Sequence, residues 1–113
     1  MGISGKLGDK IYAQAGEALE NKGRMAMQRK DYVSAGKAFK ETLRFNRNSK
    51  VASNGLNEII RKATDIFHQG YTEMGSNPAR ARQLFEQVIA MTPSDSEVHQ
   101  KALSRKRTLE KGF

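Results

Sequence analysis

The sequence predicts an all-α protein built from stacked antiparallel helical hairpins, about five helices in all, and three observations carry that prediction. Apolar residues recur at spacings of three and four along nearly the whole chain, the period of one buried stripe on a helix. Polar clusters rich in capping residues interrupt those stripes at intervals that suit helices of ordinary length. A passage beginning at Gly23 recurs beginning at Gly70, and self-similarity on this scale marks repeated hairpins, because one hairpin alone cannot cover its own apolar face.

Residues 1–8 hold Gly2, Gly5 and Gly8 among small and polar neighbours, a composition costly to order, and they read as a flexible lead-in. From Asp9 onward, Ile11, Ala15, Ala18, Leu19, Met25 and Ala26 form the stripe of a first helix, which runs to about Arg29. Asp31 then offers a cap, and Tyr32, Ala35, Phe39, Thr42 and Leu43 form the stripe of a second helix to about Phe45. The stretch Asn46, Arg47, Asn48, Ser49 turns into a third and longest helix, in which Ala52, Leu56, Ile59, Ala63, Ile66, Gly70 and Met74 keep one face. Its start is open on the sequence, since Asn54 and Gly55 could form a turn, which would start the helix near Leu56, although no alternating strand pattern flanks them as a hairpin would need. Gly75 ends it, Asn77 caps the fourth helix and Pro78 takes that helix's first position. Ala81, Leu84, Phe85, Val88 and Ile89 give the fourth helix the cleanest stripe, and it ends near Met91. Pro93, Ser94 and Asp95 stop it and cap a fifth, whose stripe of Val98, Ala102 and Leu109 is interrupted by Arg105 and Lys106, as suits a terminal helix packed on one side. The expected plan is therefore a lead-in at 1–8 and one domain over 9–113, with hairpins at 9–46 and 50–92 and a capping helix at 95–111.

Within the repeat, Ala35 corresponds to Ala81, Phe39 to Phe85, Leu43 to Ile89 and Asn46 to Thr92, a constant separation of 46 residues. At these positions the sequence resembles the tetratricopeptide repeat family, whose consensus carries a Gly in the first helix, then Tyr, Ala, Phe and an apolar pair in the second, then Pro. The first copy supplies Gly23, Tyr32, Ala35, Phe39 and Leu43, with Arg47 where Pro is expected; the second supplies Gly70, Ala81, Phe85, Ile89 and Pro93, with Pro78 in place of the tyrosine. The repeat is longer than the family's roughly 34 residues, which lengthens the third helix. The resemblance implies a right-handed stack of hairpins in which the small residues admit close approach and the phenylalanines fill the wedge between neighbours.

It also implies a protein-binding module or scaffold, with the partner in a groove lined by the first helix of each hairpin and, in bacterial signalling and scaffold proteins, often at the end of a longer chain. By position relative to Gly23 the groove-facing candidates are Glu17, Glu20, Arg24, Met27 and Gln28; relative to Gly70 they are Thr64, Phe67, His68, Tyr71 and Met74, with Arg61 beside them. Phe67, Tyr71 and Met74 serve core and groove equally well, whereas Arg24, Arg61 and His68 have less structural reason to lie on an inner face. Some relatives grip a chaperone's C-terminal carboxylate with Lys and Asn; here Glu20 and Arg24 stand at the opening positions of that set, so no such binding is expected. A peptide titration with micromolar affinity would refute this.

Composition narrows the alternatives. Apolar residues make up 37% and aromatic residues 7%, lean for a globular core but too regularly spaced for a disordered chain. The chain has no cysteine, which removes disulfides and thiolate metal sites and favours a reducing compartment, from which a cytoplasmic location is expected. No apolar run approaches the roughly 18 residues of a membrane span. Twenty Lys and Arg against twelve Asp and Glu give +8, which favours an acidic partner. The densest basic run, Lys101, Arg105, Lys106, Arg107 and Lys111, supports the alternative reading, nucleic-acid or acidic-surface binding through the last helix, although aromatic residues for base stacking are not interleaved with it. No nucleophile elbow, P-loop, zincin or dinucleotide fingerprint occurs, so no catalytic residue, metal site or cofactor is expected. His68 follows Asp65 and His99 follows Asp95 at helical spacing, which reads as two surface pairs rather than a metal site.

Overall fold

The computed structural model describes the backbone of residues 2–112 and the side chains of residues 14–112. Among these residues there are five helices and no strand: α1 (Gly2–Gln28), α2 (Tyr32–Phe45), α3 (Lys50–Glu73), α4 (Pro78–Met91) and α5 (Glu97–Lys111). No helix is long and apolar enough to cross a membrane among the described residues. The chain gathers into two compact units, Met1–Leu56 and Asn57–Phe113, and the division falls inside α3 rather than at the turn between the expected hairpins.

In the first unit, α1 begins at Gly2, so the backbone of the expected lead-in at 1–8 is helical beyond Met1, which lies outside the described residues. A nucleated helix adds one hydrogen bond for each residue it fixes, and no proline interrupts residues 2–28. The side chain of Ile11 lies outside the described ones. Of the rest of the expected stripe, Ala26 is fully buried, but Met25 is 57% exposed and Ala18 is exposed; the buried face runs instead through Gly16, Gly23 and Ala26. Glycine carries no hydropathy signal, and that shifted the stripe.

The turn into α2 uses Lys30 with φ 60°, its N–H bonded to Met27 O at 3.0 Å and the Asp31 N–H to Ala26 O at 2.9 Å. This closes the helix in the left-handed manner usually reserved for glycine. Asp31 caps α2 by accepting from the Ser34 N–H at 3.2 Å. Phe39, 2% exposed, is then the centre of the unit. A Cβ built on Gly23 of α1 would stand 2.7 Å from Cδ1 and Cζ of its ring, and one built on Gly55 of α3 would stand 2.7 Å from Cδ2 and Cζ. Both edges of the ring thus lie against bare backbone. Gly55 is helix interior, which settles the open start of α3 at Lys50.

In the second unit Ile59, Ala63, Phe67, Gly70 and Met74 of α3 face Ala81, Leu84, Phe85 and Val88 of α4, all buried. Phe85 sits on Gly70, where an added Cβ would lie 2.8 Å from its ring, and its centroid is 5.4 Å from that of Phe67. Asn77 accepts from the Arg80 N–H at 3.2 Å and Pro78 opens α4, as the sequence predicts. The fifth helix starts later than expected, capped at Ser96, whose hydroxyl donates to Pro93 O at 2.7 Å instead of bonding its own helix.

Candidate functional site

The groove that gathers the most chemistry lies in the second unit, between α3 and α5. Helical spacing puts Thr64, Phe67, His68 and Tyr71 on one face of α3, and Val98, Lys101 and Arg105 on one face of α5. Two shallow depressions open between these faces, each of about 210 Å³. Ile60, Phe67 and Val98 give the first an apolar floor, with His68, Glu97 and Lys101 at its edge. Tyr71, Ser104 and Arg105 border the second. Phe67 and Lys101 line both, so the two are one continuous groove. Each depression alone is smaller than the roughly 300 to 1,000 Å³ of small-molecule and cofactor sites.

Phe67 is held as its floor, 8% exposed, by the Phe85 ring beneath it. His68 stands exposed with its ring edge-on to Phe67 at 5.9 Å. Tyr71, 53% exposed, lies 6.5 Å from Phe67 and carries the Arg105 guanidinium 5.0 Å above its ring centroid. The structure thus brings together two groups of residues that the sequence kept apart, the groove candidates His68 and Tyr71 and the basic residues Lys101 and Arg105. Met74, an equal candidate for core or groove, is core, and Arg61 is exposed but lines neither depression.

The basic run does not act as one face. Lys101 pairs with Glu97 at 3.0 Å along the helix. Lys106 points the other way, half-buried, with its ammonium 3.9 Å from Glu86 of α4 and 3.6 Å from Glu110. Arg82 joins the same cluster, 3.1 Å from Glu86 and 3.7 Å from Glu110. Lys106 therefore ties α5 to α4, and Arg107 is exposed on the surface.

The candidates of the first unit divide differently. Glu20 is half-buried and accepts from the Ser49 hydroxyl at 2.7 Å, while Ser49 in turn accepts from the Ala52 N–H at 3.1 Å and caps α3. Its role is to join α1 to the start of α3. Arg24 is exposed and donates to Asn21 Oδ1 at 3.4 Å; Met27 is half-buried and Gln28 exposed. Sequence reasoning missed a cleft of about 300 Å³ between α1 and α2, with Lys22 and Lys37 on facing walls and Leu19 and Ala38 between them. Lys40 nearby has its ammonium pKa lowered, first by burial and then by repulsion from Lys37.

His99 corrects the expected surface pair with Asp95. It is buried, with Nδ1 3.1 Å from Thr92 Oγ1. That hydroxyl already donates its one hydrogen to Val88 O at 2.7 Å, so the imidazole must donate from Nδ1. The periodicity held the signal, because His99 is adjacent to Val98 on the buried arc of α5. No three His, Cys, Asp or Glu side chains gather as metal ligands among the described residues. Comparison with protein-family models, curated proteins and solved structures finds no match to this chain.

Proposed function

We propose that this chain is a tetratricopeptide-like interaction module that binds a segment of a partner protein in the α3–α5 groove, and that it works by binding rather than catalysis. The observation that carries the reading is the convergence of Phe67, His68 and Tyr71 from α3 with Lys101 and Arg105 from α5 on one open groove. The recurring Gly and Phe wedge, Gly23 with Phe39 and Gly70 with Phe85, supports the hairpin-repeat part of the reading. A groove set on packed helices changes little on binding, so less of the interaction is lost to ordering the protein. The surplus of positive charge adds speed and salt sensitivity to the association. Diversion of Lys106 into the α4 cluster speaks for peptide over nucleic acid, since it interrupts the run of cations a phosphate backbone would track.

A photo-crosslinking amino acid at position 68 tests the proposal in cell extract. The expected outcome is a polypeptide adduct from position 68 and none from position 87, exposed on α4 away from the groove. Equal adducts from both positions, or nucleic acid as the adduct from position 68, would remove the proposal.

A further inference from the structure

Resting on that reading of the groove, we infer that its ligand is a peptide segment with an apolar side chain beside a carboxylate, the first seated against Phe67 and the second held by the Arg105 guanidinium. The two depressions divide this work. The floor of Ile60, Phe67 and Val98 offers nothing to a polar group and is large enough for one or two apolar side chains. The adjoining depression is bordered by Lys101 and Arg105, and because Phe67 and Lys101 belong to both, a chain anchored in the first passes directly over the second.

Arg105 is the cation left for the ligand. Lys101 is engaged by Glu97 at 3.0 Å, whereas no carboxylate among the described residues is within ion-pair distance of Arg105. What holds Arg105 is the Tyr71 ring, 5.0 Å from its guanidinium carbon. That attraction acts on the positive charge and leaves the N–H fork for a carboxylate, whose two oxygens it matches. Tyr71 is therefore a positioning residue: by ordering a long side chain in advance it lowers the entropy lost when the carboxylate arrives. A phosphodiester chain fits less well, because the apolar floor gives it no partner.

A random-peptide display library selected on the full chain, followed by fluorescence anisotropy on the best peptide, tests the inference. Enriched peptides should carry an aliphatic or aromatic residue within about two positions of Asp or Glu, the reach between neighbouring depressions for an extended chain. Changing that acid to its amide should weaken binding to the wild-type chain about tenfold, as expected for losing a charge-assisted pair. The same change should matter about twofold or less to Arg105→Ala, and Arg105→Lys should recover only part of the difference. Tyr71→Ala should weaken the acidic peptide and leave the amide peptide nearly unaffected, a selectivity that general loss of packing would not produce. Thermal melting confirms that each variant is folded. Enriched peptides without an acid, or an acid preference unchanged in Arg105→Ala, overturn this inference and leave the groove reading standing. Peptides bound equally well by Thr64→Lys, which obstructs the apolar half, overturn the groove reading itself.

Discussion

Replacing Gly23 by alanine puts a methyl group where the Phe39 ring already is. The new Cβ would stand 2.7 Å from Cδ1 and Cζ of that ring and closer still to Cε1. A ring free on its far side would slide away at small cost, but here the opposite edge meets Gly55 in the same manner. Overpacking a filled core costs about 1–3 kcal/mol. Alanine in a helix interior recovers about 1 kcal/mol over glycine. The net loss is then up to about 2 kcal/mol, which lowers the midpoint of thermal unfolding by up to roughly 8 °C in a chain of this size. Gly16→Ala in the same helix is the control, since the nearest atom to its added Cβ is Asn46 Cβ at 4.0 Å. It should raise the midpoint by roughly 4 °C, from the helix propensity alone. Circular dichroism at the helical band reads both. Combining Gly23→Ala with Phe39→Leu should cost less than the sum of the separate changes by about 1 kcal/mol, because leucine no longer fills the space the methyl needs. If Gly23→Ala proved as stabilising as Gly16→Ala, the ring would not be wedged against bare backbone and the account of this core would be wrong.

Lys30→Gly should stabilise the chain by about 1 kcal/mol, because the left-handed backbone at φ 60° penalises any residue with a Cβ, and urea unfolding measures it. Glu20→Ala should cost about 1 kcal/mol by leaving the Ser49 hydroxyl without its acceptor, yet leave peptide affinity at the α3–α5 groove unchanged; a selective loss of affinity would return Glu20 to the binding surface. Asp31 has its carboxyl pKa lowered, first by the Ser34 side chain and then by the Ser34 N–H. Its contribution is thus present at neutral pH and is lost as pH falls through and below the ordinary carboxylate range. Asp31→Asn, which still caps, should flatten the acid limb of melting temperature against pH. Nitrogen-15 spectra of His99 should show the proton of the neutral ring on Nδ1, and a proton found on Nε2 would contradict the Thr92 geometry.

Much of the helical order was legible because stripe and cap agree at most boundaries. Asn77 with Pro78, and Asp31 before Tyr32, are marked by residue types whose backbone preferences act locally. What the sequence left open or placed wrongly involves residues whose role depends on a distant neighbour. Gly55 beside Asn54 looks like a turn until the Phe39 ring is known to lie on it. Met25 looks like core until Gly23 is known to set the buried face. Ser49, expected as part of a turn, caps α3 locally, but its bond to Glu20 in another helix is not written in its neighbours.

The candidate site shows the same limit in a sharper form. Lys101, Arg105, Lys106 and Arg107 make one basic cluster along the chain, but a helix turns about 100° at each residue and sorts neighbours onto different faces. Lys101 and Arg105, four apart, share the groove, whereas Lys106, one step on, is turned into the carboxylates of Glu86 and Glu110. The consequence is a difference in kind between adjacent cations. Lys106→Ala should loosen α5 from α4 and act on stability, while Arg105→Ala should act on affinity at nearly unchanged stability, because its partner in the chain is an exposed ring rather than an ion-pair cluster. Melting and peptide titration on the two variants separate these effects. Identical behaviour of the pair would mean that the cations work as one diffuse field, as a polyanion-binding surface requires, and would move the function from the groove to the helix as a whole.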